Sequence, residues 1–173
     1  ERFGIRVPIG SDAARWDAFI AAQQARTYAG LVPDDFEQRM LAQAAADPAA
    51  RAAEFDDPGT TVRLIAEADG ELVGAIEVSD APADWEISLG LGDAPAEREL
   101  SRLYLAQHVH GTGLASHLLA AALGDDDAYL WLIDGNERAQ RFYRRHGFAD
   151  HGPSVSTGPS WGGIPMHRMA RLS

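Results

Sequence analysis

Gly111 and Gly113 stand between the apolar run Leu103-Tyr104-Leu105 and a segment in which Leu114, Leu118, Leu119 and Ala122 recur at helical spacing. A strand that turns through glycines into a helix exposes a row of backbone N–H groups, here from about Gly111 to Ser116, with no intrahelical acceptor. Neither glycine carries a Cβ, so an anion can approach those amides closely. The chemistry on offer is phosphate binding. Three histidines surround the same turn, His108, His110 and His117, but no carboxylate or cysteine joins them at ligand spacing, and no metal site is predicted. The run Asp125-Asp126-Asp127 reads as a solvated helix end, because adjacent residues do not converge on one cation.

Two common phosphate motifs do not fit the turn. A P-loop requires a Lys and a Ser or Thr after its last glycine, and the chain contains no lysine. The dinucleotide fingerprint requires three glycines and an acidic residue about 20 positions further on. His110-Gly111-Thr112-Gly113-Leu114-Ala115 instead resembles the acetyl-CoA pyrophosphate motif Q/R-x-x-G-x-G/A of the GNAT N-acetyltransferase superfamily. Gly113 and Ala115 match it, while His110 stands where Gln or Arg is usual. Asn136-Glu137-Arg138-Ala139, followed by Phe142-Tyr143-Arg144-Arg145-His146-Gly147-Phe148, resembles the family signature N-x-x-A-x-x-F-Y-x-x-x-G-F. It follows a second apolar run, Tyr129 to Ile133, so the order and separation of the motifs also agree.

That resemblance implies an acetyl-CoA-dependent N-acetyltransferase, passing acetyl to a primary amine of a small molecule by direct attack through a tetrahedral intermediate. An acyl-CoA-binding sensor without turnover, or an enzyme acetylating peptides or proteins, would use the same scaffold. The implied cofactor contacts begin at Leu103, Tyr104 and Leu105, whose backbone would pair with pantetheine as an added strand does. They continue through His110, Gly111, Thr112, Gly113, Leu114, Ala115 and Ser116 at the diphosphate, then through Asn136, Ala139, Phe142 and Tyr143. Asn136 would touch the pantetheine arm or cap its own helix.

Tyr143 corresponds to the family tyrosine near the CoA sulfur. A phenol of pKa about 10 can protonate a thiolate of pKa about 8.5, despite an uphill transfer, when it is already in place. Its other reading is a core tyrosine, because Ala139, Phe142, Tyr143 and His146 form one helical face. Glu99 stands where some family members carry a glutamate, and an amine of pKa about 10 needs a base. Its side chain should share a face with Ser101, Leu103 and Leu105; the alternative is a charge left in water at the start of a strand. The amide near Leu105 would hold the oxyanion, and by analogy with the family Tyr28, Trp85 and Trp161 would line the acceptor pocket; ordinary packing is the other reading of each.

These groups need elements to position them. Phe3, Ile5, Val7 and Ile9 alternate as a half-buried first strand, and Ser11 or Asp12 can cap a helix whose stripe is Trp16, Phe19 and Ile20 and which ends near Thr27. Asp34 with Glu37 predicts a capping box before a second helix through Phe36, Met40, Leu41 and Ala44; Asp47-Pro48 opens a third, ending near Phe55. Thr60–Ala66 and Glu71–Val78 read as a hairpin across Asp69-Gly70. From Ser79 to Ala96 the chain reads as loop, punctuated by Pro82, Trp85, Gly90, Gly92 and Pro95. The strand at 99–105, the glycine-led helix, the strand Tyr129–Ile133 and a helix from Asn136 to Gly147 follow. Gly, Pro and Ser spacers from Gly152 to Gly163 then separate two last strands, the second near Pro165 to Leu172. The order agrees with the GNAT fold, an α/β (α+β) class with a mixed, mostly antiparallel sheet of about seven strands and helices on both faces. In that fold the sheet is splayed between strands 4 and 5.

A chain of 173 residues is read most simply as a single domain, 1–173. With no cysteine there is no disulfide, thiolate nucleophile or cysteine-based zinc site. The net charge of −11 argues against nucleic-acid and anionic-membrane surfaces and favours cationic acceptors. No apolar run approaches the ~20 residues of a membrane span, so a cytoplasmic protein is expected. A homodimer is allowed. Arg138, Arg141, Arg144 and Arg145 either supply positive potential for the CoA polyanion or decorate the wet side of a helix.

Overall fold

The computed structural model describes residues 2–91 and 93–173; Glu1 and Gly92, the latter within the stretch read as loop, lie outside the described residues. The strands are β1 (Gly4–Arg6), β2 (Val62–Ala68), β3 (Glu71–Asp80), β4 (Arg98–Leu105), β5 (Ala128–Ile133), β6 (Ala149–Ser156) and β7 (Pro165–Arg171). The helices are α1 (Ala13–Thr27), α2 (Phe36–Ala44), α3 (Pro48–Asp56), α4 (Asp84–Ser88), α5 (Leu114–Leu123) and α6 (Glu137–Arg145). Strand order is β1-β2-β3-β4-β5-β7-β6, with β4 and β5 parallel at Glu99↔Tyr129. The pairs β1–β2, β5–β7 and β6–β7 are antiparallel, which makes the sheet mixed as expected. By its contacts the chain forms two compact units, residues 1–77 with 102–124, and residues 78–101 with 125–173.

In the first unit, α1 buries Ala13, Trp16 and Ile20 against Phe55, Ile65 and Ala75. Burial of side chains this size stabilises by roughly 1.5–3 kcal/mol each. Trp16 meets the Phe55 ring edge-on at 5.6 Å, and the guanidinium groups of Arg51 and Arg63 lie 5.0 and 4.3 Å from that ring's centroid. Helix α3 begins as predicted, with Pro48 in its first turn and the Asp47 carboxylate accepting from the Ala50 amide. The hairpin turn also holds: Asp69 and Gly70 have φ of +51° and +80°, the conformation a two-residue connection demands. Gly74 on β3 carries α5. A Cβ there would sit 3.2 Å from Leu118 Cδ1 and 3.3 Å from Leu114 Cδ2.

Three local expectations are corrected here. The first strand is not half-buried: β1 is three residues long and exposed throughout, and Val7 is 59% exposed. It is the edge of the sheet, paired only with β2, so its apolar alternation has no layer to face. Helix α2 starts one residue later than the Asp34 capping box implies; Asp35 holds the cap position without a side-chain cap bond and pairs with Arg39 at 3.0 Å instead. Asp12 stands at the cap of α1 but spends its carboxylate elsewhere. It accepts from Arg6 Nη1 and Nη2 at 2.8 and 2.9 Å and from the Ile9 amide at 2.8 Å, contacts that hold its carboxyl down at about 2.

In the second unit, β5 is buried on both faces, with Trp131 its one partly exposed residue. The segment read as loop from Ser79 to Ala96 contains α4, too short for a periodic pattern to reveal. Strand β6 runs on through Gly152-Pro153 to Ser156, where spacers were expected. An edge position and a register shift between His151 and Val155 make room for them. Helix α6 follows the sequence closely: Asn136 Oδ1 accepts from the Ala139 amide at 3.3 Å, and Gly147, φ +88°, ends the turn.

Candidate active site

In the first unit β4 leads through a short 3-10 turn, Gln107–Val109, into the glycine pair. Gly111 and Gly113 have φ of +78° and +85°, a left-handed backbone that a Cβ would strain, and nothing lies within 4 Å of where either Cβ would be. The His117 amide donates to Gly113 O at 3.2 Å in the first turn of α5. Thr112 Oγ1 donates to Val109 O at 2.6 Å and accepts, at 3.4 Å, from the Leu114 amide, bracing the loop from inside. The result is an open, internally braced cradle.

The strand before it is also specific in what it presents. The Ala106 amide donates to Val73 O at 2.9 Å, so the alternation of an extended chain turns the Leu105 amide toward the opposite edge of β4. The His110 ring places Nε2 3.2 Å from Leu105 O. Tyr104 faces the other way, into the α1 cluster, where its hydroxyl accepts from Gln24 Nε2 at 3.3 Å. Tyr28 is buried at the end of α1.

In the second unit Glu99 is 4% exposed, which removes the reading of a charge left in water. Its in-register neighbour is Tyr129, and across from β4 the hydroxyls of Ser79 and Ser101 meet at 2.5 Å. Tyr143 is 9% exposed and sits edge-on between Phe142, at 5.3 Å, and Phe148, at 5.7 Å; Phe142 also contacts the His146 ring at 4.6 Å. Burial, with the charges of Arg145 and Arg171 behind it, lowers the proton affinity of His146. Asn136, Ala139, Phe142 and Tyr143 therefore share one helix start and one helix face. Trp85 leans on Trp131 at 5.8 Å, and Trp161 lies in the 3-10 turn Pro159–Trp161. Of the four arginines on α6, Arg141 pairs with Glu137 at 3.6 Å and Arg144 with Asp150 at 3.0 Å.

Two polar clusters escape sequence reasoning. The Tyr129 hydroxyl donates to both oxygens of Glu86, at 2.8 and 2.9 Å, and Arg168 Nη2 reaches Glu86 at 3.3 Å while its guanidinium stacks 4.5 Å over Trp131. Burial drives the Tyr129 phenol far above its ordinary range, and the bond to Glu86 and the charges of Glu99 and Glu86 add to that. The second cluster joins His167 to Asp134 at 2.6 Å and to Asp150 at 3.3 Å. Burial pushes Asp134 up, but the bonds from Ser154 and His167 outweigh it and leave its carboxyl lowered. Among the described residues no group of acids and histidines is arranged to hold a metal ion. No helix among them is long and apolar enough to cross a membrane.

Comparison with known proteins places these features. Two proteins named as uncharacterized N-acetyltransferases, from Mycobacterium bovis and Mycobacterium tuberculosis, are each 37% identical to this chain over 110 residues. The match covers 60% of this chain and 62% of each relative, so the chain spans under two thirds of the length of the curated relatives it matches. The fold is shared with the PaiA N-acetyltransferase of Thermoplasma acidophilum, solved in complex with coenzyme A, at a TM-score of 0.68 with 19% identity and complete coverage of both chains. It is shared also with a GNAT-family acetyltransferase from Bordetella pertussis, TM-score 0.66 at 18% identity, covering 99% of this chain and 96% of that one. The sequence pattern of the acetyltransferase (GNAT) family matches residues 22–148, a span holding both motifs, and the chain belongs to that family.

Proposed function

We propose that this protein is an acetyl-CoA-dependent N-acetyltransferase acting on the primary amine of a small molecule by direct attack. The observation that carries the reading is the glycine cradle, whose left-handed Gly111 and Gly113 leave open space at the N-terminal end of α5. Those residues fit a diphosphate: amides from Gly111 to Ser116 would hold it, with the partial positive charge of the helix start behind them. Acetyl-CoA would supply an activated thioester. The Thermoplasma neighbour was solved with coenzyme A, which supports the same ligand class here.

The rest of the chemistry is assigned to this chain's own side chains. The Leu105 amide, directed away from β3, is suited to pair with the pantetheine arm and to stabilise oxyanion charge. Glu99 takes the amine proton, directly or through a held water, and Tyr143 returns one to the departing thiolate. Asn136, whose Oδ1 accepts from the Ala139 amide, contacts the pantetheine arm from the start of α6. The net charge of −11 favours cationic acceptors, and acetyl-CoA as donor suits the cytoplasm.

A thiol-release assay with acetyl-CoA and longer acyl-CoAs, run across a panel of small amines and peptides, tests the reading. Amine-dependent release of free CoA is expected, with at least one small amine preferred to peptides. Stabilisation by acetyl-CoA without release for any acceptor would instead identify a sensor, and no stabilisation at millimolar acetyl-CoA would remove the CoA site altogether.

A further inference from the structure

Glu86 is 1% exposed and lies on α4, outside every role assigned above. A buried carboxylate persists only where donors surround it. Glu86 has the Tyr129 hydroxyl at 2.8 and 2.9 Å, Arg168 Nη2 at 3.3 Å and the Ala83 amide at 3.4 Å. Glu99 is the in-register neighbour of Tyr129, so the two side chains stand on one face of the sheet, and the charge of Glu99 acts on that phenol. The charges of two buried carboxylates thus act on one phenol.

A phenol has a single proton. It is committed to Glu86. Charged and titratable groups in this cluster include Glu86 from α4, Tyr129 from β5 and Arg168 from β7. On β4 itself, Arg98 is turned to Asp80 at 2.6 Å. Arg168 opposes the effect of Glu86, but its Nη atoms are turned to Glu86, Leu91 O and Asp93 O. A second negative charge in a low-dielectric site favours the protonated form of its neighbour.

We propose that Glu86, acting on its own charge and through the orientation of Tyr129, is a positioning residue that keeps Glu99 basic enough to take the acceptor's proton. The inference rests on the reading of Glu99 as the base. A base left at the ordinary carboxylate value would be a weak proton acceptor for an ammonium group, and raising it toward working pH improves the match.

The test follows Glu99 in two ways: 13C-carboxyl NMR titration of the protein without acyl-CoA, and the acid limb of kcat/KM against pH. Glu86→Gln should move both down by about one pH unit, and Arg168→Met should move both up. Melting temperatures separate a folding defect from a shift, and Arg168→Met carries the test in the opposite direction where Glu86→Gln folds poorly. Loss of stability with the Glu99 titration unmoved in both variants would make the cluster structural and overturn the inference. If Glu99→Gln keeps the acid limb and full turnover, the base assignment itself fails, even with the NMR titration shifting as expected.

Discussion

His110 turns its ring back onto the strand that delivers it, with Nε2 3.2 Å from the carbonyl oxygen of Leu105. The side chain where the family pattern has Gln or Arg is thus engaged with backbone, and in the proposed function the grip on a diphosphate would fall to main-chain amides. His110→Ala should therefore change acetyl-CoA affinity less than about threefold. Gly113→Ala forces a Cβ onto a backbone at φ +85°, a strain of about 1–2 kcal/mol, and should weaken affinity at least tenfold. Isothermal titration with acetyl-CoA compares the two directly.

Tyr143 is packed edge-on by Phe142 and Phe148, contacts that a phenylalanine ring would keep. Tyr143→Phe should melt close to the parent while kcat falls about a hundredfold and the KM for acetyl-CoA stays nearly constant, the pattern of a lost proton donor. Steady-state kinetics with a thiol-reporting dye, paired with a melting curve, measures both. Unchanged kcat would take Tyr143 out of the reaction.

The parts of this site readable from sequence are those fixed by neighbours a few residues apart. The glycine turn needs φ above zero at Gly111 and Gly113; the hairpin needs it at Asp69 and Gly70; Asn136 caps a helix three residues downstream of itself. The Glu86 cluster is of another kind. Its members are separated by 43 and 82 positions, on a five-residue helix and two strands, and only the folded sheet brings them together. Side-chain type also misleads at edges: Ile5, Val7 and Ile9 alternate as a buried face would, yet are exposed in and just beyond the edge strand β1. Gly152 and Pro153 signal a break, and β6 absorbs them because its outer side needs no ladder bonds.

Gly74 is where β3 touches the helix behind the cradle, with Leu118 Cδ1 and Leu114 Cδ2 already at 3.2 and 3.3 Å from an added Cβ. Gly74→Val should displace α5, costing about 1–3 kcal/mol of stability, and raise the KM for acetyl-CoA more than it lowers kcat. Gly70→Ala, strained in a turn with nothing within 4 Å of its Cβ, should destabilise without that bias in KM.

Asp12 gives the fold an acid-sensitive point. Its carboxyl is held at about 2, foremost by the Arg6 side chain, against about 3.9 in an unfolded chain. A lowered native value means stabilisation that is complete above the unfolded value and is lost as pH falls through about 4 toward 2. With Arg6 partly in water, Asp12→Asn should cost about 1–2 kcal/mol at neutral pH and flatten the decline between those limits, as urea melts at stepped pH would record.

Phe55 has two guanidinium groups over its ring, those of Arg51 and Arg63, and no ammonium group. Guanidinium does not surrender its proton in any medium a protein survives. Alkali therefore has no purchase on the two cations of this aromatic contact.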